Sequence, residues 1–266
     1  MNTFISTILI CLVACCVVML LVYLWAYNIK NAGVVDIFWA FNFSIIAVLL
    51  YFLADGWMQR KIIICCMVLI WSLRLGIYLL IRVGSHLDEE EGRYKKMREE
   101  WGASVNRKLF LFFQAQALSN IYLAIPFFLI AFNTKENISA LEYTGVIVWA
   151  VGICGEAFSD AQLKRFKKNP ANKGKVCNAG LWNYSRHPNY FFESVIWIGY
   201  FLVALNANYG WIGFLSPLTI TLLLFRVTGI PLTEQQAIRS KGEAYKEYQR
   251  TTSMFVPWFK KSGVEN

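Results

Sequence analysis

The sequence predicts an all-α, polytopic membrane protein with about seven transmembrane helices. Three observations carry that expectation. Of 266 residues, 57% are hydrophobic and only 16% charged, whereas soluble domains carry about 25% charged residues. The apolar residues gather in runs near ~20 residues, the length a helix needs to cross a bilayer. Lys and Arg concentrate in alternate connecting segments, as cytoplasmic loops do.

In order, the expected spans are Phe4–Tyr27, Val34–Ala54, Ile62–Ile81, Phe110–Phe132, Leu141–Ala161, Tyr190–Leu205 and Trp211–Ile230. The first has no Lys or Arg ahead of it and is long for a cleaved signal peptide, so it reads as a span. The sixth is short and begins inside a polar motif. Apart from Arg82 at the end of span three, segments 28–33, 82–109, 162–189 and 231–266 hold twenty Lys and Arg, Lys261 included. The opposite side has three, Arg60, Lys61 and Lys135. That bias predicts an external N-terminus and a cytoplasmic C-terminus. The whole chain, 1–266, reads as a single membrane domain without internal repeats.

The net charge of +9 follows this topology. No nucleic-acid motif accompanies it, and the basic residues form no separate patch. Six of the seven cysteines lie in apolar runs, where Cys acts as a small hydrophobe. With only His86 and His187 present, no pair has metal-ligand spacing. Gly-x-Gly-x-x-Gly does not occur, and no strand–helix alternation suggests a soluble dinucleotide domain.

Charged groups inside apolar runs cost ~2.5–3.5 kcal/mol each at a helix centre, which marks them as functional candidates. They are Asp36, Arg74, Glu156, Asp160, Glu193 and Arg226. Asp36, Asp160 and Arg226 lie near span ends, where an interfacial position is the alternative. Glu156 and Asp160 are four apart, hence on one face of span five, and repel unless a donor lies between them. Asn189 and Glu193 share a face of span six in the same way. Just ahead, Arg186, His187 and the amides after Pro188 make a candidate anion site at a helix start. Headgroup contact is the alternative there. The Lys-rich 162–177 segment suits anionic lipid or a dinucleotide's phosphates equally.

Between Asp88 and Trp101, acidic and basic blocks alternate. Such a run reads as a solvated helix, with Glu91 and Lys95 on one face. The alternative is that Arg93 and Tyr94 turn inward to cover a site. The tail beyond Pro257 reads as a frayed end.

Several motifs are specific in order and spacing: Ser159-Asp160, the basic run to Lys168, Gly180-Leu181-Trp182-x-Tyr184-Ser185-Arg186-His187-Pro188-Asn189-Tyr190, Glu193, Trp197-Ile198-Gly199-Tyr200 and Val256-Pro257-Trp258-Phe259. Together they resemble the C-terminal domain of steroid 5-alpha-reductase-like membrane proteins, in particular a bacterial branch of unknown function. Asp36-x-x-Trp39, Trp71-x-x-Arg74-Leu75 and Asp88 through Trp101 match that branch in the first half.

The resemblance implies an NADPH-dependent reductase of a carbon–carbon double bond conjugated to a carbonyl, in a bacterial inner membrane. The partners implied are the bilayer and a hydrophobic small molecule. Residues 141–259 would form the cofactor side and 1–109 the substrate side. By motif position, Asp160, Tyr184, Asn189 and Glu193 would bind cofactor. Lys164 and Lys167 fall where the family places basic phosphate ligands, and Arg186 and His187 would contact phosphate or ribose. Glu156 and Glu234 complete the candidate cofactor set. Steroid-converting members hold the substrate carbonyl with a Glu on an early helix and a Tyr on a later one. No motif identifies that pair here, and Trp71 falls near the Tyr position without an acidic proton. Asp36, Arg74 and Tyr94 are the candidates for the role.

Arg186-His187-Pro188-x-Tyr190 also resembles S-adenosylmethionine-dependent isoprenylcysteine and phospholipid methyltransferases. That group carries paired Glu on its last cytoplasmic helix, whereas Glu234 is followed here by Gln235.

Overall fold

The structure is a computed structural model describing residues 2–90, 92–227 and 229–260. Glu91 and Lys261 fall outside the described residues. The described chain is helical, with a single isolated bridge between Ser185 and Ser253. It divides into two compact units, Met1–Ser139 with Ala204–Gly213, and Ala140–Val203 with Phe214–Asn266.

The first unit contains α1 (Thr3–Ile29), α2 (Val34–Leu53), α3 (Met58–Gly84), α4 (Gly92–Trp101), α5 (Val105–Leu123) and α6 (Ile125–Ala131). Asn2 caps α1 by accepting the Phe4 amide at 3.2 Å. Lys30, at φ 55°, ends it in the left-handed region. The chain then turns on Asn31, whose Oδ1 accepts the Gly33 amide at 2.9 Å. Helices α5 and α6 bend by 43°, where Pro126 supplies no amide to the ladder. Aromatic side chains of α2, α3 and α6 fill the core, with Phe43 5.1 Å from Trp71 and 6.1 Å from Phe127.

Several polar groups inside these apolar helices find partners on neighbouring helices, as hydrocarbon surroundings favour. Ser72 Oγ donates to Ala40 O at 2.6 Å, and Asn42 Nδ2 to Asn120 Oδ1 at 3.0 Å. Asn120 Nδ2 in turn donates to Trp39 O at 2.9 Å. Arg60, counted among the loop cations from sequence, is buried and donates to carbonyls of Asn133 and Asn137 beyond α6.

The second unit contains α7 (Ala140–Lys168), α8 (Pro188–Ala204, its last residue assigned to the first unit), α9 (Leu215–Arg226), α10 (Ile230–Lys241) and α11 (Glu243–Thr251). Helix occupies most of each expected span among the described residues, with Val227 and Gly229 lying between α9 and α10 in the seventh. By length and apolarity, five stretches among the described residues are fit to cross a membrane, or six if α5 and α6 count as one bent span. Helix α8, at 17 residues, spans ~25 Å at 1.5 Å per residue, short of a ~30 Å hydrocarbon core. The protein is a multi-pass membrane protein.

Candidate functional site

Small residues bring α7 and α8 together. A Cβ on Gly152 would lie 2.8 Å from the Ile196 amide nitrogen, and one on Gly199 2.7 Å from that of Trp149. Gly145 meets the Val203 amide nitrogen at 2.8 Å. The antiparallel pair is therefore in near backbone contact, the arrangement small residues allow between membrane helices.

This approach juxtaposes the polar residues expected from their spacing. Asn189 Nδ2 donates to Asp160 Oδ1 at 3.5 Å, providing an amide donor beside the α7 carboxylates. Glu156 is buried one turn before Asp160. On α8, Glu193 Oε1 accepts Trp197 Nε1 at 2.8 Å, so its carboxylate is held along the helix.

The motif ahead of α8 is fixed from both sides. Gly180 adopts φ +60°, and Gln162 Oε1 accepts the Leu181 amide at 2.9 Å. Trp182 Nε1 donates to Ser159 O at 2.9 Å. From the C-terminal side, Ser253 O accepts the Arg186 amide and Phe255 O accepts Ser185 Oγ. The Tyr248 hydroxyl donates to Trp182 O and lies 3.1 Å from Ser185 O. Burial pushes the Tyr248 phenol up, so it stays a donor at neutral pH.

Arg186 and His187 face a carboxylate. Arg186 Nη1 lies 3.0 Å and His187 Nε2 3.2 Å from Glu234 Oε1. Gln249 Nε2 donates to Glu234 Oε2 at 2.8 Å. The His187 ring stacks on Tyr190, with centroids 5.4 Å apart. Arg186 is only 9% exposed, and its Nε is a buried donor without a hydrogen-bond partner among the described residues.

The remaining cofactor candidates lie further out. Lys164 and Lys167 are exposed near the end of α7. Tyr184 is exposed, with its ring against Phe259. Beyond the basic run, a pocket of about 590 Å³ is lined by Phe166, Lys175, Tyr248 and Lys260 among others.

In the first unit, the structure overturns the expectation of a freely solvated 88–101 helix. Tyr94 is 1% exposed. Its hydroxyl donates to Asp36 Oδ1 at 3.0 Å and accepts from Arg93 at 2.8 Å. Arg93 also pairs with Asp36 and lies over the Tyr94 ring, 4.6 Å from its centroid. Glu90 accepts the Ala32 amide at 2.7 Å and Arg98 Nε at 2.7 Å. The charged run has one face docked on the start of α2, while Lys95, Lys96, Glu99 and Glu100 remain exposed. Asp36 and Tyr94 are thus in contact. Arg74 sits half-buried on α3, two residues from Ser72.

The tail also departs from expectation. The Trp258 amide donates to Tyr184 O at 2.9 Å, so the chain remains fixed past Pro257. Gln162, Tyr245, Tyr248 and Gln249 also bear on the motif without standing among the expected site residues; Tyr245 is buried beside Tyr248, ring centroids 5.8 Å apart. The last three recur at i, i+3 and i+4, one face of α11, which is the signal that marks them.

A family profile described as "Protein of unknown function (DUF1295)" matches residues 22–252. The chain belongs to the DUF1295 family. The steroid 5-alpha-reductase-like resemblance of its motifs is borne out. Mouse 3-oxo-5-alpha-steroid 4-dehydrogenase 1 is 26% identical over 115 residues, and the bovine protein of that name is 27% identical over the same length. Each match covers 43% of this DUF1295 chain and 41% of the relative. A probable O-methyltransferase, ustE of Ustilaginoidea virens, is 51% identical over 47 residues, 18% of this chain and 16% of that protein. The chain therefore spans well under two thirds of these curated relatives. No solved structure matches.

Proposed function

We propose that this chain is an NADPH-dependent membrane reductase of a carbon–carbon double bond conjugated to a carbonyl, acting on a hydrophobic lipid or steroid-like substrate. The carrying observation is the polar row of α7 and α8, where Asp160 meets Asn189 at 3.5 Å and Trp197 fixes Glu193 at 2.8 Å. Family membership and the two steroid dehydrogenases support the reaction class. In this reading the protein lies in a bacterial inner membrane with its C-terminus in the cytoplasm.

The donor set fits a dinucleotide. Glu156, Asp160 and Glu193 are acceptors for ribose hydroxyls or a carboxamide, and Asn189 both donates and accepts. The buried Arg186 Nε is a charged donor with capacity left after pairing with Glu234, and His187 shares that carboxylate. Lys164 and Lys167 add phosphate-seeking charge, and Tyr184 sits at the outer edge of the motif. Bound there, the nicotinamide supplies a hydride.

Asp36, Arg74 and Tyr94, all in the first unit, are the proposed carbonyl-polarising set. In this reading the Tyr94 proton, which rests on Asp36 Oδ1 in the free protein, turns to the substrate carbonyl as enolate charge develops on its oxygen. Arg93, bonded to the Tyr94 oxygen, favours transfer of charge onto it. Asp36 orients the hydroxyl, and Arg74 is a further cation on the neighbouring helix. Reduction would add the nicotinamide's hydride at the β carbon and a proton from solvent at the α carbon, leaving the saturated carbonyl compound.

A second reading, an S-adenosylmethionine-dependent methyltransferase, is favoured by the short ustE match. Against it, Glu234 already pairs with Arg186 and His187 and is followed by Gln235. A thermal-shift titration of the detergent-purified protein separates the two. A ligand at 100 times its Kd stabilises by ~2.7 kcal/mol. NADPH is expected to raise Tm, and Glu193→Ala to abolish the shift. A shift with S-adenosylmethionine alone reverses the assignment.

A further inference from the structure

Residues 252–259 follow α11 as an irregular strap with two unlike sides. One side is bonded to the motif through Ser253, Phe255 and Trp258 main-chain groups, as described above. The Phe255 ring packs 4.6 Å from that of Phe225 in the last turn of α9 and 5.6 Å from that of Phe191 in the first turn of α8. The other side is open. Met254, Val256, Trp258 and Phe259 are 37%, 51%, 67% and 76% exposed, while Ser253, Phe255 and Pro257 between them are half-buried.

The depth of the strap follows from its bonds. Through Trp182, the motif is tied to Ser159, just over one turn before the cations Lys164 and Arg165 at the polar end of α7. Phe225 adjoins Arg226, the last residue of α9. The strap therefore lies where membrane helices change from apolar to polar. Exposed Trp and neighbouring apolar groups favour the headgroup–acyl boundary at that level. Lys175 and Lys260, which line the adjoining pocket, add attraction for anionic headgroups. Isolated exposed apolar residues are ordinary, but a row on a hydrogen-bonded backbone marks a contact surface.

We propose that residues 254–259 are an interfacial anchor, with Met254, Val256, Trp258 and Phe259 seated in the boundary region of an anionic bilayer. The bilayer thereby presses Ser253 and Phe255 onto the Ser185–Arg186 backbone. This inference does not depend on the reductase reading.

The test uses the full chain in phosphatidylglycerol–phosphatidylethanolamine nanodiscs, with Trp258→p-benzoylphenylalanine compared with Glu243→p-benzoylphenylalanine, an exposed α11 control outside that pocket. On irradiation, mass spectrometry should find about tenfold more lipid adduct at 258 than at 243, given the interfacial preference of Trp, and less in phosphatidylcholine discs. Equal adducts at the two positions, or cross-links from 258 to a second copy or another protein, overturn the proposal. A second variant, Met254→Ser with Val256→Ser, Trp258→Ser and Phe259→Ser, keeps the strap backbone. Hydrogen exchange at the Arg186 amide should then quicken about tenfold in nanodiscs. Unchanged protection overturns the coupling of anchor to motif.

Discussion

The hydroxyl of Tyr94 meets Oδ1 of Asp36 at 3.0 Å across 58 residues of sequence. Arg93 holds both partners, so the phenol has a donor and an acceptor at once. Tyr94→Phe keeps the buried ring and removes only the hydroxyl. Losing one donor in general acid catalysis reduces turnover by about 10²–10⁴-fold, whereas a lost hydrogen bond to a charged partner such as Asp36 or Arg93 costs ~1.5–3 kcal/mol of stability. NADPH consumption with a panel of hydrophobic enones, alongside thermal unfolding, checks both. Wild-type turnover in Tyr94→Phe would remove the phenol from the mechanism.

Glu234 is the shared partner of Arg186, His187 and Gln249. Removing one side of a buried ion cluster leaves an uncompensated charge and costs ~3–5 kcal/mol. Glu234→Ala should therefore lower Tm strongly. Combining Glu234→Leu with Arg186→Met should recover part of the loss, because no lone charge then remains. A double variant less stable than the sum of its parts contradicts that account.

The close approach of α7 and α8 leaves no room for a methyl group on Gly199, whose Cβ would fall 2.6 Å from that of Trp149. Overpacking of this kind costs ~1–3 kcal/mol. Gly199→Ala should separate the helices, lowering Tm and weakening any NADPH-induced shift through the Asp160–Asn189 contact. A larger residue at exposed Ile198 should do neither.

Cys177 lies in the water-side segment between α7 and α8, yet is buried, and burial raises its thiol pKa. A raised pKa leaves less thiolate at neutral pH. Maleimide should leave Cys177 unmodified in the native protein and label it after unfolding, as read by peptide mass spectrometry. Rapid native labelling would mean that this segment opens readily.

The helical segments were legible because they obey a local rule. Each needs only its own length and apolarity to satisfy its backbone in a bilayer. The Asn189–Glu193 and Glu156–Asp160 spacings also placed their side chains on single helical faces, and α7 and α8 meet along those faces. The 88–101 segment was not legible. A mixed charge run gives the same pattern whether its Tyr is solvated or held, and here Asp36 on another helix decided the outcome.

By itself, the sequence determined the helical class, the apolar stretches and which faces of α7 and α8 are polar, since these depend on residues three or four apart. The tertiary structure decided partners. It joined Tyr94 to Asp36, gave Arg186 and His187 to Glu234 and stitched residues 253–258 onto the Ser185 motif. Hydrogen bonds and ion pairs require atoms within ~3 Å, and a chain that can bring many distant residues to one place does not encode which of them will meet in any local pattern.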